Sequence, residues 1–229
     1  MSAETNGVKP DDNRLIVIRA GSVALEGELS VPPAPHGLVI FAHGISGCRQ
    51  NVHLHSVAGH LHRAGLGTLV FDLLTPGEDA TEFVGRHLRY NMGLLTQRLI
   101  CAAHWLAGED EARHLRLGFL GFETGGGAAL VAAADLPEVI GAVVVQSGRV
   151  DLAGGALRRV KCPTLLLVDQ QDEELAELNQ ETNELLTCEK KLALLRSPDE
   201  ALRLTAEWFA EHLSGFARSR LRVHDWDRK

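Results

Sequence analysis

Short, continuous apolar runs recur along this chain of 229 residues and constrain its fold more than any other feature. The run LVIFA between Gly37 and His43 is bounded by glycine and lacks the alternation of a half-exposed strand. Such runs are typical of strands buried on both faces of a parallel sheet. Similar runs lie at Gly67–Phe71, Arg116–Gly121, Gly141–Gln146, Thr164–Asp169 and Lys191–Leu195. The sequence therefore predicts a central sheet that is mostly parallel.

Segments with helical spacing separate these runs. They lie at His53–Ala64, His87–Ala107, Thr124–Ala134, Glu173–Leu186 and Pro198–Leu213. The last helix is expected to begin with Ser197 as its N-cap and Pro198 in its first turn. Ahead of the first run, Leu15–Arg19 and Ala24–Val31 carry strand-forming residues and predict an antiparallel hairpin. This alternation predicts an α/β fold: a doubly wound, mostly parallel sheet in three layers, α/β/α.

Length and composition predict one soluble domain at 14–213, between a disordered N-terminus at 1–13 and a polar C-terminal tail at 214–229. Hydrophobic residues make up 45% and charged residues 23%, as in average globular proteins. The apolar runs are far shorter than the roughly 20 residues of a membrane span. A polar start without the features of a secretory signal predicts a cytoplasmic location.

The net charge and the cysteine content limit the classes of binding partner that the sequence predicts. The net charge of −7 opposes binding to nucleic acid or to anionic lipid. Four cysteines without CxxC spacing are predicted to be thiols. We expect a small-molecule ligand and no cofactor, and self-association stays open.

The segment GFLGFETGGGAALVAAA runs from a buried strand through a tight turn into a helix, and it contains the spacing Gly121-x-Glu123-x-Gly125. This is the context of a nucleophile elbow, in which the apex residue has a strained backbone and small neighbours let strand and helix approach. We expect Glu123 to occupy the apex and to point toward a cavity lined by the loop 44–51.

Two other segments place polar residues where strands end. FAHGISG puts His43 and Gly44 at the end of the central strand, and LLLVDQQDE puts Asp169 and Asp172 at the end of a late strand. With GLVIFAHG, AGLGTLVFDLLTPGE, GGGAALVAAA, GRVDLAGGAL and CPTLLLVDQQDE, the chain resembles the dienelactone hydrolase-like branch of the α/β-hydrolase superfamily. The resemblance covers about Leu15 to Leu213.

That resemblance implies a Ser, Asp, His triad in chain order and an oxyanion hole made by backbone N–H groups. By position the oxyanion donors are the backbones of Thr124 and Ile45, the acid is Asp172, and His43 has a structural place. Glu123 stands where the family has serine. The segment LALLRSPDEALRL has no histidine where the family has one. An ordinary serine hydrolase is therefore not expected.

The chemistry left to Glu123 has three interpretations. Its carboxylate could be a nucleophile, or a general acid or base assisted by the two N–H groups. Alternatively, it plugs a dead site by accepting those same N–H groups. The interpretation favoured from the sequence is a divergent or degenerate member that binds a small ligand in the former active site. We expect no histidine within hydrogen-bonding reach of Glu123.

The loop GISGCRQN and the helix after it supply further candidates. Cys48 is a candidate nucleophile or packed thiol, and Arg49 is a candidate clamp for a ligand carboxylate or a member of a surface ion pair. The histidines of the helix, at positions 53, 55, 60 and 62, lack the i, i+4 spacing of metal ligands, so no metal site is expected. The segment Thr75–Tyr90 is expected to cover the site.

Overall fold

The structure, a computed structural model, describes residues 13–44, 50–82 and 88–214. Its centre is an eight-stranded sheet in the order β1-β2-β4-β3-β5-β6-β7-β8. β1 pairs antiparallel with β2, and β2 with β4, whereas the other pairings are parallel. The strands are β1 Asn13–Ala20, β2 Val23–Ser30, β3 Gly37–His43, β4 Leu66–Phe71, β5 Leu117–Glu123, β6 Ile140–Gly148, β7 Thr164–Asp169 and β8 Lys190–Leu195.

Helices cover both faces of the sheet. They are α1 Val52–Arg63, α2 Pro76–Glu82, α3 Met92–Gly108, α4 Thr124–Asp135, α5 Glu173–Leu185 and α6 Pro198–Leu213, with 3-10 segments at Leu88–Tyr90 and Val150–Arg159. α1 and α6 bury their apolar residues against one face. α3, α4 and the 3-10 segment Val150–Arg159 pack on the other face. The predicted α/β fold with three layers is confirmed.

Local signals explain where several elements begin. The predicted hairpin is confirmed as β1 and β2. α6 begins as expected, because the Ser197 hydroxyl accepts the Glu200 N–H at 3.3 Å. The helix predicted from residue 87 begins at Met92 instead, since the Asn91 side chain accepts the Leu94 N–H at 3.1 Å and caps the helix there.

Other sequence expectations fall partly outside the described residues. The predicted disordered N-terminus and the polar tail lie there, except that Asn13 belongs to β1 and Ser214 ends α6 as its C-cap. Among the residues that are described, no helix has both the length and the apolar composition of a membrane span.

Candidate active site

Glu123 is the last residue of β5 and the N-cap of α4, so it occupies the apex of a strand-to-helix turn. Its backbone has φ 48° and ψ −126°, a region that residues with a side chain rarely adopt. Such strain costs on the order of 1–3 kcal/mol and persists only where the surroundings enforce it. The predicted strained elbow is therefore present.

Contacts around the turn explain its glycines. A Cβ at Gly121 would lie 2.5 Å from Gly126 Cα, and one at Gly125 would lie 2.1 Å from Ala42 O. A Cβ at Gly44 would lie 2.0 Å from Thr124 Oγ1. No side chain fits at these distances, so the glycines allow β3, β5 and the first turn of α4 to pack together.

The Glu123 side chain is exposed and makes no capping hydrogen bond to the N-terminus of α4. The first N–H groups of any helix have no acceptor within the helix. A plug formed by this carboxylate would accept the N–H groups of α4, and Glu123 makes no such bond there, whereas the second expected donor, Ile45, lies outside the described residues. Glu123 thus combines a strained backbone with a carboxylate that accepts no hydrogen bond from the first N–H groups of α4.

His43 lies at the carboxyl end of β3 and is 8% exposed. Its ring packs against Phe122, the neighbour of Glu123, with centroids 5.9 Å apart. Burial lowers the pKa of His43, while the negative charges of Glu123 and Asp72 act to raise it. The neutral imidazole is therefore favoured, in the electrostatic range of two carboxylates.

Two buried polar atoms near the elbow have no hydrogen-bond partner within the described part of the chain. They are His43 Nδ1 and Thr124 Oγ1. Thr124 is 5% exposed, and its hydroxyl lies against Gly44. Because His43 Nδ1 has no partner among the described residues, this nitrogen does not bond the Glu123 carboxylate, and the wider expectation for all histidines stays a prediction.

The acids predicted at the end of β7 lie there, and both have local roles. Asp172 is the N-cap of α5, and its Oδ1 accepts the Leu175 N–H at 3.0 Å. Asp169 Oδ1 accepts the Gln171 N–H at 2.9 Å. Both side chains are exposed. The position that the resemblance gives to a triad acid is thus used as a helix cap.

Only Arg196 and Ser197 separate β8 from α6. Glu200 closes this connection, because its Oε2 accepts the Arg196 N–H at 2.9 Å. His212 lies near the other end of α6, where its Nε2 is 3.8 Å from Oε1 of Glu189, the residue before β8. His212 therefore faces the end of the sheet opposite to Glu123.

Other predicted site residues are placed as follows. Ile45, Cys48 and Arg49 lie outside the described residues, as does most of the loop expected to line a cavity beside Glu123. His62 Nδ1 lies 3.1 Å from the Ser30 hydroxyl and His60 Nδ1 lies 2.9 Å from Ser56 O. The described residues contain no group of three or more His, Cys, Asp or Glu suited to a metal ion.

The structure adds features that the sequence interpretation did not single out. Asp72, directly after β4, contributes to the field at His43. Its position at the carboxyl end of a parallel strand was the available signal. A groove of about 400 Å³ lies between the 3-10 segment and α5 and is lined by Asp151, Gly154, Leu157, Glu174, Glu177, Leu178, Glu181, Thr182 and Leu185. None of the predicted site residues lines this groove.

Comparisons with known proteins agree with the fold. A crystal structure of dienelactone hydrolase from Anabaena variabilis is 40% identical, with a TM-score of 0.83, over 88% of this chain and 98% of that chain. The protein Est1E from Butyrivibrio proteoclasticus is 17% identical with a TM-score of 0.68, over 86% of this chain and 96% of that one, which shows the fold alone.

A Mycobacterium tuberculosis protein with the name "Putative phosphoribosyl transferase" is 39% identical over 210 residues, or 87% of this chain. The match covers 46% of that protein, so the chain spans about half the length of the curated relatives it matches. No protein-family model matches the chain. From its strand order, its elbow and its similarity to nearly the whole of a solved dienelactone hydrolase, the chain belongs to the dienelactone hydrolase family of α/β-hydrolases.

Proposed function

We propose that this chain is a divergent member of the dienelactone hydrolase family that binds a small molecule at the elbow through the carboxylate of Glu123. The observation that carries the proposal is an exposed Glu123 side chain, with no capping bond, on the strained backbone of the apex. A carboxylate in this state can accept hydrogen bonds from a ligand or pair with its positive charge.

Serine ester chemistry is excluded from the proposal for two reasons. First, the apex residue is Glu123 where the family has a serine, so no hydroxyl stands at the point of attack. Second, the two-residue connection between β8 and α6 carries no histidine where the family has its base. Acyl-enzyme formation needs both groups, since the imidazole takes the proton of the hydroxyl.

Local charge indicates the ligand class. Asp72 and Glu123 both impose a negative field on His43. Burial lowers the pKa of His43, which favours its neutral form. Arg149, a nearby cation, is held by Asp151 through two hydrogen bonds of 2.8 and 2.7 Å. This field favours a cationic or hydrogen-bond-donating ligand over a carboxylate. The expectation that Arg49 clamps a ligand carboxylate concerns a residue outside the described part and stays a prediction.

Ligand-observed NMR with a fragment set matched for size tests this proposal. Small amines, amides and carboxylates are compared on the native protein, on Glu123→Gln and on Glu177→Gln, a control in the groove along α5. We expect amines and amides to bind the native protein and the control, and amines to be lost from Glu123→Gln. Equal binding to all three proteins would contradict the proposal, and so would labelling of the native protein by a fluorophosphonate serine probe.

Acid–base catalysis is a second candidate, favoured by the buried His43, whose pKa is lowered, and by the N-terminus of α4 beside a carboxylate that makes no capping bond. Glu123 would remove a proton from a carbon next to a carbonyl, and backbone N–H groups would stabilise the enolate oxygen. Deuterium incorporation from D₂O into a panel of ketones and lactones measures this step. Incorporation that persists in Glu123→Gln would eliminate the candidate.

Phosphoribosyl transfer, suggested by the name of the mycobacterial relatives, is not extended to this chain. The matched region covers less than half of those proteins. The carboxylate of Glu123 also stands at the N-terminus of α4, the end of a helix that otherwise attracts phosphate, and would repel it.

A further inference from the structure

A turn at the end of β6, formed by Ser147, Gly148 and Arg149, packs against the Glu123 elbow. Phe122 is in register with Gln146 and Glu123 with Gly148, so Ser147 is an extra residue that forms a bulge. Ser147 has φ 47° and is, like Glu123, one of three residues other than glycine with a positive φ in the described part of the chain. Bulges of this kind redirect chains beside functional sites. Strained residues therefore lie at the ends of two neighbouring strands.

The turn contacts the elbow directly. The Arg149 N–H donates to Glu123 O at 2.9 Å. A Cβ at Gly148 would lie 3.3 Å from Glu123 O, 3.5 Å from Gly126 Cα and 2.2 Å from Val145 Cγ1. The position of the Gly148–Arg149 peptide therefore sets the position of the Glu123 carbonyl.

One buried side chain connects this turn to α5. Asn179 is fully buried, and its Nδ2 donates to Gly148 O at 3.2 Å and to Leu175 O at 2.9 Å. Both partners are carbonyls, so the orientation of the amide is determined. Its Oδ1 has no partner within the described residues, a cost that an apolar residue of the same size would avoid. Asn179 therefore contributes to the structure through the two hydrogen bonds that its Nδ2 donates.

We propose that Asn179 is a positioning residue that holds the Glu123 elbow through Gly148 and Arg149. The inference deepens the proposed function and rests on it for the importance of Glu123. The amide fixes the Gly148 carbonyl, which fixes the Arg149 N–H, which in turn holds the carbonyl of Glu123 in its strained conformation. α5 also begins with Asp172 as its N-cap, so the same side chain ties that acid to the elbow.

Asn179→Leu tests the proposal, because leucine keeps the number and branching of the side-chain heavy atoms, removes the unpartnered oxygen and deletes the donor. Asn183→Leu is the matched control one turn later on α5, where Oδ1 also lacks a partner in the described residues. Amide hydrogen exchange is measured by NMR. We expect the Arg149 amide to exchange about tenfold faster in Asn179→Leu, the factor for loss of one typical hydrogen bond. The control should match the native protein.

The pKa of His43 provides a readout that general loosening of α5 would not move. It is measured by NMR titration in the native protein, Glu123→Gln, Asn179→Leu and the double variant. Because the charge of Glu123 raises this pKa, Glu123→Gln should lower it. In the Asn179→Leu background the same replacement should lower the pKa by about half as much. In Asn183→Leu, the lowering of the His43 pKa by Glu123→Gln should be as large as in the native protein.

Native-like Arg149 exchange in Asn179→Leu overturns the inference, whatever His43 does. If Asn179→Leu fails to fold, Asn179→Ala is measured in the same way. Neither readout uses a ligand, so failure of the fragment experiment leaves this inference standing, and failure here leaves the fragment experiment intact.

Discussion

Two glutamates, one at the end of β5 and one after β4, lie by the strands that flank β3, and their surroundings differ completely. Glu78, in α2 after β4, accepts hydrogen bonds from Arg98 at 2.6 and 2.8 Å and from the Thr75 N–H and hydroxyl at 2.9 and 3.0 Å. Glu123, at the end of β5, makes no capping bond and has a strained backbone. The first carboxylate is fully used by the fold, and the second is left free of capping partners.

The difference separates a structural carboxylate from the one that we propose binds a ligand. Arg98 is 3% exposed and also donates to Leu73 O at 2.5 Å, so it anchors the segment after β4. Hydrogen bonds from Arg98 hold the pKa of Glu78 at about 2. Its charge is therefore committed to the fold, whereas the carboxylate of Glu123 makes no capping bond to α4.

The largest expected effect is on stability at Glu78. Glu78→Gln leaves the buried Arg98 without its counter-charge, and we expect the free energy of unfolding to fall by about 3 kcal/mol. The matched control is Glu207→Gln, which breaks an exposed pair with Arg203 and should cost about 0.5 kcal/mol. Urea denaturation measures both. Equal losses would show that the Arg98 pair has no special structural role.

The same pair predicts a dependence on pH. The folded pKa of Glu78, about 2, is below its ordinary value of 4.5, so the pair stabilises the fold above pH 4.5, and this is lost as pH falls toward 2. We expect about 1–2 kcal/mol after allowance for solvent screening. Urea denaturation from pH 5 to pH 3 should show a steeper loss for the native protein than for Glu78→Gln. Parallel curves would contradict this assignment.

A smaller effect is expected at the backbone of Glu123. Glycine adopts the observed φ and ψ without strain, so Glu123→Gly should stabilise the protein by about 1 kcal/mol, even though glycine makes the unfolded chain more flexible. Glu123→Val should destabilise it, because a branched side chain fits this region poorly. Glu123→Gln removes the charge but keeps the backbone strain, so the free energy of unfolding should change little. A stability order with Val above Gly would mean that the apex is not strained.

The elbow could be predicted from the sequence because close packing within the turn requires its glycines. Contacts of 2.1 to 2.5 Å exclude a side chain at Gly121 and Gly125 in this turn. The state of the Glu123 carboxylate could not be predicted, because both a cap and an exposed side chain are compatible with the same backbone. α2 was missed because PGEDATE has no apolar periodicity, and a pair with Arg98, far along the chain, holds it.

The smallest effect is electrostatic. The charge of Glu123 opposes the lowering of the His43 pKa by burial, so Glu123→Gln should lower that pKa further. Asp72→Asn should act in the same direction by a smaller amount, since Asp72 ranks after Glu123 among the groups that raise the pKa of His43. NMR titration of the His43 ring measures both. An unchanged pKa in Glu123→Gln would place the carboxylate beyond electrostatic reach.

The most direct test of the central claim, that Ser-His chemistry is absent from this elbow, is hydrolysis of p-nitrophenyl acetate by Glu123→Ser. The variant regains a hydroxyl at the apex, and under our proposal no imidazole is placed to take its proton. Nucleophile and base act as a unit in serine hydrolases, so one restored member recovers little rate. We expect a rate no higher than that of the native protein. A rate typical of esterases would mean that an imidazole already serves the apex, and would contradict the account.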